Sequence, residues 1–186
     1  MPSRDIHSRD GGKKVRDFLG SLVANLLLSP NLVKPIYLIS PWLSDFCLFE
    51  NKFSQYRDLF NHRLEFSENP SISLSHALFE LSHKVPVRIM SSQKFSERFL
   101  ALFSDEKRIE IKFKEDTEGT EHQKGFLTES FYFEGSMNFT YSGVFRNKEK
   151  ITCNSIDYPE GKQKIANAYL EFERTWDHFL NEEGKD

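Results

Sequence analysis

Between Lys13 and Leu28 the apolar residues Val15, Phe18, Leu19, Leu22, Val23, Leu26 and Leu27 recur three and four apart. That period predicts a helix with one buried face, stopped by Ser29-Pro30-Asn31. Residues 35–42, PIYLISPW, form a short and nearly continuous apolar run, which reads as a buried strand. Segment 43–70 shows no sustained period, apart from a short helix expected around 53–60. Leu74, Ala77, Leu78 and Leu81 share one face of a helix predicted over 71–84. A second buried strand (85–90, VPVRIM), a helix (92–103) and an alternating strand (109–113, IEIKF) follow. After a charged turn at 116–121 come two strands, 122–128 and 130–134, joined at Glu129, and then a strand over 149–154. A long helix over 160–180 closes the chain, with Ile165, Ala168, Tyr169, Phe172 and Trp176 spaced for burial.

Strands alternating with helices predict an α/β fold, a mixed sheet flanked by helices on both faces. The late hairpin argues against a purely parallel sheet. Residues 1–11 are polar and basic and read as a flexible arm, which leaves 12–186 as one domain. The 18 Phe and a 14% aromatic content exclude a disordered chain. A net charge of −3 excludes a global basic field of the kind that draws nucleic acid or anionic lipid. Two cysteines, Cys47 and Cys153, build neither a disulfide framework nor a four-cysteine zinc site, and read as buried thiols of a cytoplasmic protein. The apolar stretch over 18–28 falls short of the ~20 residues that span a bilayer. Asp17 at its start, and the lack of an Ala-x-Ala site before Pro30, make it a first helix and not a secretory signal.

The chemistry concentrates in one stretch, HQKGFLTESFYFEGSMNFTYSGVFRNKEKI, which starts at His122. On a strand, His122 and Lys124 present an imidazole and an ammonium to the same face. Such a pair calls for an anion between them. Gly135, Ser136 and Asn138 fall at a strand end, where backbone amides and small polar side chains can converge on an oxyanion. Ser136 and Asn138 also suit a helix N-cap, and the two roles are compatible. Glu149 opens a strand, where it either fixes the tautomer of His122 or pairs on the surface with Lys148 or Lys150. A nucleophile, a cation, amide and hydroxyl donors and a carboxylate are the parts of phosphoryl-group chemistry.

These residues resemble the phospholipase D superfamily, whose signature is H-x-K-x4-D followed by Gly-Ser-x-Asn. The match runs through His122-x-Lys124, Glu129 at the acidic position, and Gly135-Ser136-Met137-Asn138, then on to Asn147-x-Glu149. Two departures stand out: a Glu replaces the motif Asp, and the spacer to Gly135 is one residue short. The acidic position is thought to be structural in the family, so Glu129 bears on packing more than on chemistry. The resemblance implies a phospholipase D-like α/β/α sandwich with His122 as nucleophile. Lys124, Ser136 and Asn138 would hold the phosphate, and Glu149 would orient the imidazole. It implies no metal and no cofactor. The family's site takes two such motifs, and this chain carries one, so a homodimer with a shared site is expected.

Small single-motif members are often nucleases, which makes a nucleic-acid phosphodiester the first expectation and a membrane partner unexpected. The resemblance extends to phospholipase D-like proteins of bacterial DNA-modification and phage-defence clusters, with co-encoded DNA-processing partners. The alternatives are a phospholipid or small-phosphodiester hydrolase, and a non-catalytic DNA-binding or scaffold module. Arg4, Arg9, Lys13, Lys14 and Arg16 are candidate phosphate contacts. His62 and His83 read as solvated, Trp176 as core, and Trp42 as core or the mouth of a pocket.

Overall fold

A computed structural model describes residues 3–7, 13–60, 62, 68–92, 95, 97–103, 106–113 and 123–182. In chain order the elements are β1 (Ser3–His7), α1 (Lys13–Leu28), β2 (Ile36–Ile39), β3 (Cys47–Glu50), β4 (Ser71–Ser73), α2 (Leu74–Ser82), β5 (Val87–Ser91) and α3 (Glu97–Ala101). They continue with β6 (Ile109–Phe113), β7 (Gly125–Leu127), β8 (Phe131–Gly135), α4 (Tyr141–Phe145), β9 (Lys150–Ser155) and α5 (Pro159–Glu182). Seven strands make one sheet in the order β1-β9-β8-β7-β2-β5-β6, and β3 pairs with β4 apart from it. The β2-β5-β6 side is parallel and the β7-β8-β9-β1 side antiparallel, so the sheet is mixed as expected.

Both faces of this sheet are covered, which explains why β2 is apolar at every position. Ile36 and Leu38 face a core shared with Val15, Leu19 and Val23 of α1 and with Leu74, Ala77, Leu78 and Leu81 of α2. Tyr37 and Ile39 face the opposite core, with Ile165, Ala168, Tyr169, Phe172 and Trp176 of α5. Tyr37 meets Tyr169, Phe172 and Trp176 edge-on, with ring centroids 6.0, 5.9 and 6.4 Å apart. The Phe content is spent largely on the first core, where Phe126, Phe133 and Phe139 pack against one another. Among the described residues no helix is long and apolar enough to cross a membrane.

Several elements depart from the expectation. Residues 3–7 of the presumed arm form an edge strand, antiparallel to β9 from Ser3↔Asn154 to His7↔Lys150. Ile6 is the one large apolar side chain among them, so periodicity carried no signal, and the strand is held by backbone pairing. The helix expected from residue 71 begins at Leu74, after a short strand. Ser73 caps it, accepting from the His76 N–H while its own N–H reaches the His76 ring. The segment read as irregular contains β3, and the helix expected around 53–60 is two 3-10 turns, Lys52–Ser54 and Arg57–Leu59. Phe53 and Ser54, at φ 63° and 51°, break any continuous helix there. The charged turn at 116–121 lies outside the described residues. Trp176 is buried, while Trp42 is 43% exposed.

Glu129 sits at the β7–β8 turn, at the end of the sheet where β2 begins. Its Oε2 accepts from the backbone N–H groups of Val33 and Lys34, at 2.9 and 3.0 Å. The carboxylate thus pins the α1–β2 connection, which is a structural job. Glu129→Ala is expected to lower unfolding free energy by about 1 kcal/mol, because two charge-assisted bonds at a half-exposed site are lost. Urea denaturation checks this, and an unchanged midpoint would contradict it.

Candidate active site

Three adjacent antiparallel strands bring the candidate residues to one end of the sheet. Gly125 pairs with Glu134, and Gly135 pairs with Ile151. Lys124, one residue before β7, therefore falls in the same row as Gly135 and Ile151. Lys124, Gly135 and Ile151 line one narrow crevice with Phe133, Met137 and Phe139. Ser136 lies in the next row opposite Lys150, with Glu149 one residue beyond and Asn138 in the loop after it.

Gly135 makes this convergence possible. Its φ of +152° is rare for a residue with a side chain, and a Cβ there would stand 2.2 Å from the Lys150 carbonyl oxygen. The β8 end thus presses against the start of β9 in a way only glycine permits. One residue on, the Ser136 N–H donates to the Lys150 carbonyl at 3.1 Å, and the Ser136 hydroxyl accepts from the Lys150 N–H at 3.1 Å. That hydroxyl donates in turn to Oε2 of Glu149 at 2.5 Å, and Asn147 Nδ2 donates to Oε1 at 3.2 Å. Glu149 is therefore held from both oxygens. Ser136, expected on the phosphate, donates its hydroxyl to Glu149 in this structure. Of the two lysines considered as Glu149 partners, Lys150 reaches across to Asp5 on β1, at 3.5 Å.

Asn138 rides on a loop that is fastened to the end of β2. Buried Ser40 accepts from the Phe139 N–H at 3.1 Å and donates to the Trp42 carbonyl at 2.6 Å. The Ser44 N–H donates to the Phe139 carbonyl at 3.0 Å. Thr140 caps α4 by accepting from the Gly143 N–H, and a Cβ on Gly143 would lie 2.1 Å from the Asn138 carbonyl oxygen, so α4 packs directly on the loop. The side-chain Oδ1 of Asn138 is buried and has no hydrogen-bond partner among the described residues. A buried acceptor without a partner is costly, and such groups are kept where a ligand or water completes them. Ser40 was not singled out in the sequence. The only signal there was a polar residue closing an apolar strand.

Burial pushes the Lys124 ammonium below the usual lysine range, and the Glu149 carboxylate pulls it back up. The cation is close enough to feel that carboxylate and is partly shielded from water. His122 lies outside the described residues. The structure therefore brings together Lys124, Gly135, Ser136, Asn138 and Glu149, while Glu129 stands at the far end of the β7–β8 hairpin. Of the proposed basic contacts, Arg16 pairs with Asp17 at 2.7 Å and Glu50 at 3.1 Å.

A lysine with a lowered pKa loses its charge at a lower alkaline pH than an ordinary one. Glu149→Gln removes the attraction that favours the charged form, so the Lys124 titration should move further toward neutrality. NMR titration of the Lys124 side chain checks this, and an unmoved midpoint would show that the two charges are not coupled.

No family model matches the sequence, and no curated protein matches it. Solved structures do. NucT from Helicobacter pylori superposes with a TM-score of 0.59 at 11% identity, over 94% of this chain and 95% of that one. Nuc from Salmonella typhimurium, described as a phospholipase D family member, gives 0.51 at 16% identity, over 96% and 93%. TrmBL2, described as an archaeal chromatin protein with a novel mode of DNA binding, gives 0.53 at 11% identity, over 96% of this chain and 53% of that one. The chain thus shares the fold of these structures, one of them described as a phospholipase D family member.

Proposed function

We propose that the protein is a phosphodiesterase that cleaves nucleic-acid phosphodiester bonds in a site shared by two copies of the chain. The observation that carries this reading is the convergence of Lys124, Asn138 and Glu149 at one end of β7–β9, on a fold shared with NucT and Nuc. His122, two residues before Lys124, is the nucleophile in this reading. Its imidazole nitrogen forms a bond to phosphorus as the bond to the leaving oxygen breaks, and that oxygen takes a proton from His122 of the second subunit. Water then gives a proton to the second imidazole and attacks phosphorus, and the phosphorus–nitrogen bond breaks. The two Lys124 ammonium groups balance the charge of the non-bridging oxygens, and the Asn138 amide fixes their place. Glu149, braced by Ser136 and Asn147, holds the imidazole.

Paired cations supply the charge stabilisation that a catalytic metal otherwise gives, so the reaction proposed is metal-independent. The enzyme is read as cytoplasmic. A setting among bacterial DNA-modification or phage-defence proteins, with co-encoded partners, follows from the sequence resemblance. The likeness to TrmBL2 favours one second reading, a DNA-binding module without turnover.

Cleavage of labelled DNA and RNA in the presence of EDTA separates these readings. Activity should survive EDTA, fall at least about a thousandfold in His122→Ala, given the size of nucleophile losses, and fall strongly in Lys124→Ala. DNA binding without cleavage would support the second reading. Cleavage unaffected by His122→Ala would overturn the mechanism. Hydrolysis of a phospholipid analogue alone would replace the substrate class. Light scattering should give twice the chain mass, and a monomer would contradict the shared site.

A further inference from the structure

A second cluster of ligating side chains stands at the opposite end of the sheet, where β5 and β6 begin. His62, Glu80 and His83 place one ligand atom each within 4.8 Å of one another. Glu80 sits on the apolar face of α2 with its side chain 2% exposed. A carboxylate that deep is unfavourable unless a cation or donors compensate it. Both its oxygens turn to His62: Oε1 accepts the His62 backbone N–H at 3.2 Å, and Oε2 lies 2.6 Å from His62 Nδ1.

His83 caps the C-terminus of the same helix, and its tautomer is determined. Nδ1 lies 3.0 Å from the Phe79 carbonyl oxygen, which can only accept, so Nδ1 carries the proton. Nε2 is then a bare lone pair in the neutral ring. A backbone carbonyl on the far nitrogen is the arrangement that orients metal-binding histidines. The His62 and His83 rings stack with centroids 3.9 Å apart, which brings both imidazoles to the same carboxylate. Glu106 Oε2 lies 3.8 Å from His83 Nε2, near enough to hold a water on an ion bound there. The nearby Arg108 guanidinium is directed to the backbone carbonyls of His83 and Lys84, away from these ligand atoms.

We propose that His62 Nδ1, the Glu80 carboxylate and His83 Nε2 bind one divalent first-row transition ion, with water completing the shell. Two imidazoles and a carboxylate suit zinc and its neighbours in the series. The ion takes the place of the proton on His62 Nδ1, which leaves to solvent, and rotation of the His62 ring, 45% exposed, out of its stack on His83 lets the lone pairs converge. The site is structural: it ties the segment at His62 to α2, and it is separate from Lys124, Asn138 and Glu149 at the other end of the sheet.

Metal-stripped full-length protein titrated with Zn2+ against a chromogenic chelator tests this. The wild type should take up one Zn2+ per chain, with a rise in melting temperature. His62→Gln and His83→Gln should each weaken binding at least about tenfold while keeping the wild-type circular dichroism spectrum. His122→Ala should bind Zn2+ as the wild type does. No uptake by the wild type, or uptake insensitive to both substitutions, would overturn the proposal. Loss of Zn2+ in His122→Ala would place the ion elsewhere and overturn it as well. None of these readouts depends on nuclease activity, so the proposal stands or falls apart from the function assigned above.

Discussion

The close contact between the end of β8 and the start of β9 at Gly135 governs the candidate site. With φ at +152° and the Lys150 carbonyl 2.2 Å from where a Cβ would lie, the two strands meet backbone to backbone. This contact sets Ser136 against Lys150 and Glu149, and it sets Lys124 in the row beside them. Any side chain at 135 would have to part the strands, and the carboxylate, hydroxyl and ammonium would separate together. The glycine is thus a geometric condition for the chemistry and takes no part in it.

A second fastening works from the other side. The β2 strand is buried on both faces, so its end offers a firmly packed place from which to hold a loop. Ser40 and Ser44 use that position to grip the loop carrying Asn138, with α4 packed behind it through Gly143. The result leaves one buried amide oxygen of Asn138 without a partner among the described residues. That oxygen can only accept, so it calls for a donor such as water or an ammonium, and the Asn138 Nδ2 group is the part of the amide able to donate to an oxyanion. Folding therefore bears the desolvation before any substrate arrives.

Long periodic segments were readable from sequence, and short ones were not. Helix α1 carries seven apolar residues in phase over Lys13–Leu28, and α5 carries its buried stripe from Ile165 to Trp176, about three turns, so both were legible. Strands β1, β3 and β4 have three to five residues each and owe their form to a partner strand far away in the chain. No local pattern encodes such pairing. In the site, Lys124, Asn138 and Glu149 were legible because their spacing matches a motif, whereas Ser40 was not, because its role depends on a contact 99 residues away. Ser136 has a further contact that its spacing does not show, the hydrogen bond from its hydroxyl to Glu149. The expectation that His62 and His83 are solvated misses their stacking and the buried Glu80 beside His62, because nothing in sequence shows either contact.

Phosphoryl transfer through a histidine makes one direct demand, that phosphorus be bonded to His122 during turnover. A substrate labelled on its scissile phosphate, mixed with the protein and quenched in alkali, preserves a phosphohistidine that acid would destroy. The mechanism predicts label at His122 on peptide mapping, stable to base, lost in acid and missing in His122→Ala. Cleavage that proceeds while His122 stays unlabelled, or label that maps to another residue, would contradict it.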